Sequence, residues 1–439
     1  MRPSIWFTAG RCEMSVRLEN ALSLLFNRKF FLDGICFAIA KGTAFLAPIL
    51  AIRIIPLADY GMLETSYAWG QQLTMLAVLG IPAAYPYFIL KRRETEMQAY
   101  FWLYGVFLCL CVLFSALLHR FRYLPEQLFL VILLTAAFSM ERILSGILKT
   151  HGLGRIGVLI DSGYYFMLGT VLVILAFVHR YPFFPLLILL LLCFILFLGG
   201  WFLLMARKRC TRIYSSDIQP AVKKLLVYSI PLIFSGLIIY WLIASSRIYL
   251  SWLLGDEVVA IYAFCFRWFA IAILIYQFAY IMFFKKLYIV RPENLDRNFC
   301  ILTAIVFGST AFCLAGFFVI SPFFEMVRYE HLLRILLLLG CLMPVWCATA
   351  LNEGIIAREN LVMQMNLALL PQLLLFPLLL FLLRKTITLD LFCLLHLMSC
   401  ILVYFTQAFI LVKRGIRFGR TAAIIAVICC SSWIFYFLF

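Results

Sequence analysis

Charge is what this sequence has least of: 13% of its 439 residues are Asp, Glu, Lys or Arg, against 65% hydrophobic, and the mean hydropathy is +1.04. So small a polar complement excludes a water-soluble domain, because no single aqueous core could bury that much apolar surface. Histidine is scarce as well. The five, His119, His151, His179, His331 and His396, form no helical i, i+4 pair and no His-Glu-x-x-His motif, so no metal site is expected. The fifteen cysteines lack zinc-ribbon or Cys-x-x-Cys spacing and lie mostly in apolar runs, where they read as small packing residues. No cofactor is implied. Ten-residue segments of alternating polarity are also missing, and runs such as Leu186 to Leu192 are apolar at every position, which excludes a membrane β-barrel. Long polar loops are missing too: the longest inner one, 207–224, has 18 residues, so there is no room for an extramembrane catalytic domain and an enzyme is not expected. No short apolar core with a small-residue cleavage site opens the chain. The first long apolar run is expected to act as an uncleaved anchor, preceded by an amphipathic segment at 15–30 suited to an interface, with Met14 as an alternative start.

What the sequence has in abundance is apolar stretches of about 19 to 29 residues, each near the roughly 20 that a helix needs to cross about 30 Å of hydrocarbon. Thirteen are expected: 31–55, 65–90, 100–118, 128–148, 156–178 and 183–206, then 225–253, 258–284, 299–320, 332–351, 361–383 and 389–412, with a last run at 421–439. The fold class is therefore all-α, a polytopic membrane helix bundle. Its expected divisions are an N-terminal segment 1–30, a first set of six helices 31–206, a connecting loop 207–224, a second set of six 225–412, and a basic loop with an extra hydrophobic segment 413–439. Of the 37 Lys and Arg residues, 25 fall on one side of the proposed spans and eight on the other, with four inside them. The positive-inside rule then sets the N-terminus in the cytoplasm of a multi-pass protein. The net charge of +17 sits mostly on loops that would face anionic headgroups, so membrane lipids, and not nucleic acid, are the expected polyanionic partner.

Gly152-Leu153-Gly154-Arg155-Ile156-Gly157 fits the dinucleotide-binding pattern but follows no strand, and is read as a tight turn between spans. The informative residues are charged ones inside spans: Asp33, Lys41, Glu141, Arg142, Asp161, Arg247 and Arg267. A helix-centre charge costs about 2.5–3.5 kcal/mol on insertion scales, so such residues face a bundle interior or a watery cavity. Two readings compete. Local pairing, Lys41 with Asp33 or Arg142 with Asp161, would make them structural. Alternatively Lys41, Arg142, Arg247 and Arg267 line a cationic cavity for a phosphate or pyrophosphate, with Gln71 and Gln72 bonding sugar hydroxyls. Glu141, Asp161 and Glu353, the last beside Asn352, are candidates for coupling to protons or another ion. No set of nucleophile, base and stabiliser emerges that could meet in space.

The run Arg53-Ile-Ile-Pro-Leu-Ala-Asp-Tyr-Gly61 after the first helix, with Leu79-Gly80-Ile81-Pro82 late in the second, resembles the oligosaccharide-flippase branch of the multidrug/oligosaccharidyl-lipid/polysaccharide exporters. A counterpart follows in the second half. Ser246-Arg247-Ile248 leads through Gly255-Asp256-Glu257-Val258-Val259-Ala260-Ile261-Tyr262, and Gly61 and Ala260 are 199 residues apart, about one set of six helices. The resemblance implies two six-helix lobes in a V around a central cavity, and alternating-access export of undecaprenyl-diphosphate-linked oligosaccharide. The compact, short-looped form is most similar to the Wzx-type O-antigen flippases. The resemblance further implies a bacterial inner-membrane location, a role in lipopolysaccharide biosynthesis, and a polysaccharide polymerase and chain-length regulator as partners. Export of another polysaccharide precursor or a drug, or a polymerase or ligase activity, are the alternatives.

Overall fold

The computed structural model describes residues 28–91, 93, 97–177, 182–209, 215–289, 292–320, 332–359 and 361–438. The expected interfacial segment lies almost wholly outside them, as does the side chain of Asp33. Among the described residues there are only helices and turns: α1 (Arg28–Ile54), α2 (Leu57–Ala77), α3 (Ile81–Pro86) with a π-helical turn (Tyr87–Lys91), α4 (Met97–Arg120), α5 (Glu126–Thr150), α6 (Gly154–Ile160), α7 (Gly163–Phe177) and α8 (Phe183–Arg209). The second half holds α9 (Ser215–Ile243), α10 (Ser246–Leu254), α11 (Asp256–Ile289), α12 (Pro292–Ile320), α13 (Leu332–Arg358), α14 (Val362–Leu383), α15 (Leu389–Lys413) and α16 (Gly419–Leu438). Eleven of these are long and apolar enough to cross a membrane, and the bent pair α6 and α7 makes a twelfth crossing if counted as one span. The chain is thus an all-α, multi-pass membrane protein.

Each of the thirteen expected stretches coincides with one helix or two consecutive ones, but three are broken. The stretch 65–90 breaks at Leu79 and Gly80, both with positive φ, before Pro82 restarts the chain as α3. The stretch 156–178 bends by 51° between α6 and α7. The stretch 225–253 breaks between Ile243 and Ser246. Hydropathy continues across all three breaks, which hides them from a count of apolar residues. Conversely, the expected loop 207–224 is largely helical, because α8 runs on to Arg209 and α9 already begins at Ser215. The glycine-rich run forms the expected turn, with Gly152 at φ +80° ahead of α6.

The buried apolar side chains gather in two clusters, one drawn mainly from α1 to α8 and one mainly from α9 to α16. Three helices contribute to both sides: Ile49 of α1 is buried in the second cluster, Leu225 of α9 in the first, and Ala260 and Ala263 of α11 in the first. The most enclosed spans are α5 and α13, one per cluster, whereas α9, α12, α14 and α16 present most of their length outward, as lipid-facing helices do. The last helix, α16, docks on α12 and α13. Its start is held by Asp296 of α12, which accepts the Thr421 and Arg420 amide hydrogens at 3.1 and 3.0 Å.

Candidate functional site

The functional candidates converge where α2 passes between the two clusters. Pro56 opens this helix and Asp59 sits in its first turn, a favourable sign for the helix N-terminus. One turn further, Gly61 is packed so tightly on the second half that an added Cβ would lie 1.8 Å from the carbonyl oxygen of Asp256. Asp256 is the first residue of α11 and follows Gly255, whose φ of +87° a side chain would resist. Its Oδ1 accepts hydrogen bonds from Ser251 at 2.6 Å and, across the contact, from Thr65 at 3.2 Å. The two motifs that the sequence sets 199 residues apart therefore meet face to face.

Immediately beyond lies a charged group inside this contact. Glu64 of α2, 2% exposed, receives a two-pronged hydrogen bond from Arg267 of α11, Nε to Oε1 at 2.8 Å and Nη2 to Oε2 at 3.0 Å. Arg247 of α10 brings a second guanidinium to the same carboxylate, its Nε 3.3 Å from Oε2 but without a hydrogen bond. Aromatic rings enclose both cations. The Arg267 guanidinium lies 5.3 Å from the Tyr67 ring centre and 5.9 Å from that of Tyr165, while Arg247 lies 5.3 Å from Phe266 and 5.9 Å from Tyr67. A 2.7 Å hydrogen bond joins the hydroxyls of Tyr67 and Tyr165.

Met75 comes eleven residues after Glu64 on α2, roughly 16 Å along the axis at 1.5 Å per residue. There, toward the opposite end of the bundle, a cavity of about 490 Å³ opens between α2, α3, α5 and α9. Arg142, Ser145 and Lys149 of α5 and Asp161 at the α6–α7 bend line one side, and Leu232, Ile233 and Gly236 of α9 the other. Arg142 donates through Nη2 to Oε1 of Gln71 and through Nη1 to the Met75 sulfur at 3.4 Å. Both partners are neutral, and among the described residues no carboxylate oxygen lies within 4 Å of this guanidinium. Lys149 pairs with Asp161. Tyr240 of α9 lies within electrostatic reach of Arg142, Arg247 and Glu64, so the cavity and the charged contact share one aromatic neighbour.

The expected site residues are thus sorted into several places. Arg142 and Asp161 line the cavity, Asp161 paired with Lys149 and not with Arg142, while Gln71 is outside the lining and accepts a hydrogen bond from Arg142. Arg247 and Arg267 meet each other around Glu64, which the sequence reading leaves out because it starts the second span at Thr65. The Pro56 and Asp59 start signal would have placed Glu64 inside the helix. Lys41, half-buried on α1, lies within electrostatic reach of Asp161 and Lys149 but does not line the cavity. Gln72 is buried and its Oε1 has no hydrogen-bond partner among the described residues; it too is outside the cavity lining. Glu141 accepts the Tyr164 amide hydrogen at 2.6 Å, which caps the first turn of α7 at the broken span. Glu353 sits half-buried on α13 next to Asn352, whose amide atoms lack partners among the described residues. Among the described residues no three His, Cys, Asp or Glu side chains gather as a metal cluster.

A two-part helical membrane bundle, joined by a buried ionic contact and hollowed by a cationic cavity, is the class of protein this geometry defines. The chain belongs to the polysaccharide biosynthesis protein family, whose model matches residues 28–284, more than half of its length and the whole of the ionic contact and cavity. No curated protein and no solved structure matches it.

Proposed function

We propose that this protein is a Wzx-type flippase. It moves an undecaprenyl-diphosphate-linked oligosaccharide, an O-antigen-type repeat unit, from the cytoplasmic to the periplasmic leaflet of a bacterial inner membrane by alternating access of two lobes. The observation that carries this reading is Arg142. Its charge faces a cavity and is met, among the described residues, only by neutral atoms, which leaves it free to take a phosphate oxygen in a charge-assisted hydrogen bond. A cavity of about 490 Å³ falls within the range of small-molecule sites, enough for a diphosphate and its first sugars while the polyprenyl tail stays in lipid. The excess of basic residues on one side of the spans orients the cavity toward the cytoplasm and the Gly61–Asp256 contact toward the periplasm. In this reading the structure is the state that loads substrate from the inner leaflet.

The test follows lipid-linked oligosaccharide in a deletion strain complemented with the wild-type gene or with Arg142→Ala. The deletion should accumulate complete units on the inner leaflet and the wild type should clear them. Arg142→Ala should insert normally yet export at least about tenfold less, the loss expected from one hydrogen bond to a charged group worth about 1.5–3 kcal/mol. Full export by Arg142→Ala would remove the basis of the cavity assignment. Units that reach the outer leaflet of the deletion strain and stay unpolymerised would point to a polymerase instead.

A further inference from the structure

The charged contact between the two halves holds one carboxylate and two guanidinium groups. Glu64, Arg247 and Arg267 are 2%, 8% and 9% exposed, and among the described residues no second carboxylate oxygen comes within 4 Å of either arginine. The group therefore carries one surplus positive charge in a site with little access to water, where an uncompensated charge is costly. The surplus has an address. Glu64 spends its bidentate geometry on Arg267, while the Nε of Arg247 is buried and has no hydrogen-bond partner among the described residues. A buried guanidinium fork of this kind is matched by a carboxylate or a phosphate.

We infer that Arg247 and Arg267 form a second anion site, for a phosphate or diphosphate group, which Glu64 occupies as a built-in competitor while this end of the bundle is shut. Resting on the flippase reading above, the inference adds the step after loading. Glu64 stands on α2, and both arginines stand on α10 and α11, so parting the two halves at this end draws the carboxylate away from both at once. The freed pair takes the substrate's phosphate groups. When the halves close again, Glu64 returns, displaces the anion and leaves both arginines neutralised to the extent seen here. One anion replaces another at the arginine pair, with no proton or metal required in the step.

A competitor has a signature that a merely structural ion pair lacks: removing it raises affinity. The full chain, purified in nanodiscs, is titrated with inorganic pyrophosphate by calorimetry, as wild type and as Glu64→Gln, Glu64→Gln with Arg247→Ala, and Arg142→Ala. Glu64→Gln should bind roughly tenfold more tightly than wild type, and the added Arg247→Ala should cancel that gain. Amide hydrogen exchange in the same samples should rise at the starts of α2 and α11 in Glu64→Gln and stay unchanged in α5, which confirms that the fold survives. If protection is lost throughout, Glu64→Asp replaces it, a shorter carboxylate expected to give a smaller gain of the same sign. Affinity unchanged or lowered by these substitutions, or a gain that persists without Arg247, would overturn the inference. A wild-type affinity that falls in Arg142→Ala but is indifferent to Glu64 would sink this inference and leave the cavity reading standing. A gain in Glu64→Gln with no effect of Arg142→Ala would do the reverse, and absence of binding by every form would remove both.

Discussion

Gly61→Ala is the smallest change that should unseat the contact between the two halves. The new methyl would begin 1.8 Å from the Asp256 oxygen, 2.4 Å from its carbonyl carbon and 3.0 Å from its Cα, whereas ordinary contact begins near 3.4 Å. All three neighbours are backbone atoms at the start of a helix, so no side chain can swing aside, and α2 and α11 must separate by about 1.6 Å. The same displacement takes the Glu64–Arg267 hydrogen bonds, now 2.8 and 3.0 Å, beyond bonding distance unless both side chains also shift. Overpacking of this kind costs about 1–3 kcal/mol. In a transporter that alternates between two states, as proposed above, that is a roughly 5- to 150-fold shift in the balance between shut and open. Hydrogen exchange should show it as lost protection at residues 57–65 and 254–262 with α5 and α13 unchanged, and export should fall in step. Gly200→Ala is the control. It lies in α8 with nothing among the described residues within 4 Å of the added atom, and should leave export alone while adding about 0.5–1 kcal/mol of helix stability. Wild-type protection and wild-type export in Gly61→Ala would refute the reasoning, because the closed contact would then be no part of the working cycle.

Two further outcomes follow from the polar groups at helix starts. Glu141→Ala should lower thermal stability by about 1–3 kcal/mol, since it strands the Tyr164 amide hydrogen inside the bundle, and Glu141→Gln should recover much of it through its remaining carbonyl oxygen. If Glu141→Gln instead abolishes export at unchanged stability, the carboxyl serves ion coupling and not the broken span. Asp296→Ala removes the acceptor for two amides of α16 and for the Thr421 hydroxyl, and should cost about 0.5–2 kcal/mol. Exchange should quicken in the first turn of α16, while export is retained because that helix packs on α12 and α13, away from the cavity.

The apolar runs were legible because crossing a bilayer demands length and hydrophobicity together, and no other architecture of this composition satisfies the backbone. The breaks at 79–80, 161–162 and 244–245 were not, since a hydropathy reading has no term for a positive φ or a 51° bend. Among the charged residues the same division holds. The cost of burying Arg142, Arg247 and Arg267 singles them out as residues needing an account. Their partners were sought nearby in sequence, in Asp161 for Arg142, whereas the actual partner of Arg267 is 203 residues away. Asp161 in turn pairs with Lys149 at the end of α5. Gly61 stands in a motif that recurs along the sequence, yet its reason, the approach of the Asp256 backbone, exists only once the two motifs are brought together.

Why a charged group should stand at this contact at all can be argued from its energetics. A permanent seam between two apolar cores would be held better by leucine and isoleucine, because replacing a buried ion pair with well-packed apolar residues is often neutral or stabilising. What apolar residues cannot supply is a strength that depends on the state of the seam. Two unit charges 4 Å apart attract by about 4 kcal/mol at an effective dielectric of about 20 and by about 1 kcal/mol in bulk water. The Glu64 group is therefore firm while Gly61 and Asp256 keep water out, and weak as soon as the first gap admits it. Closure strengthens the bond that holds it closed, and opening dissolves that bond and exposes two arginines together. A contact meant never to part has no use for that behaviour, whereas one that must shut fully and release abruptly does.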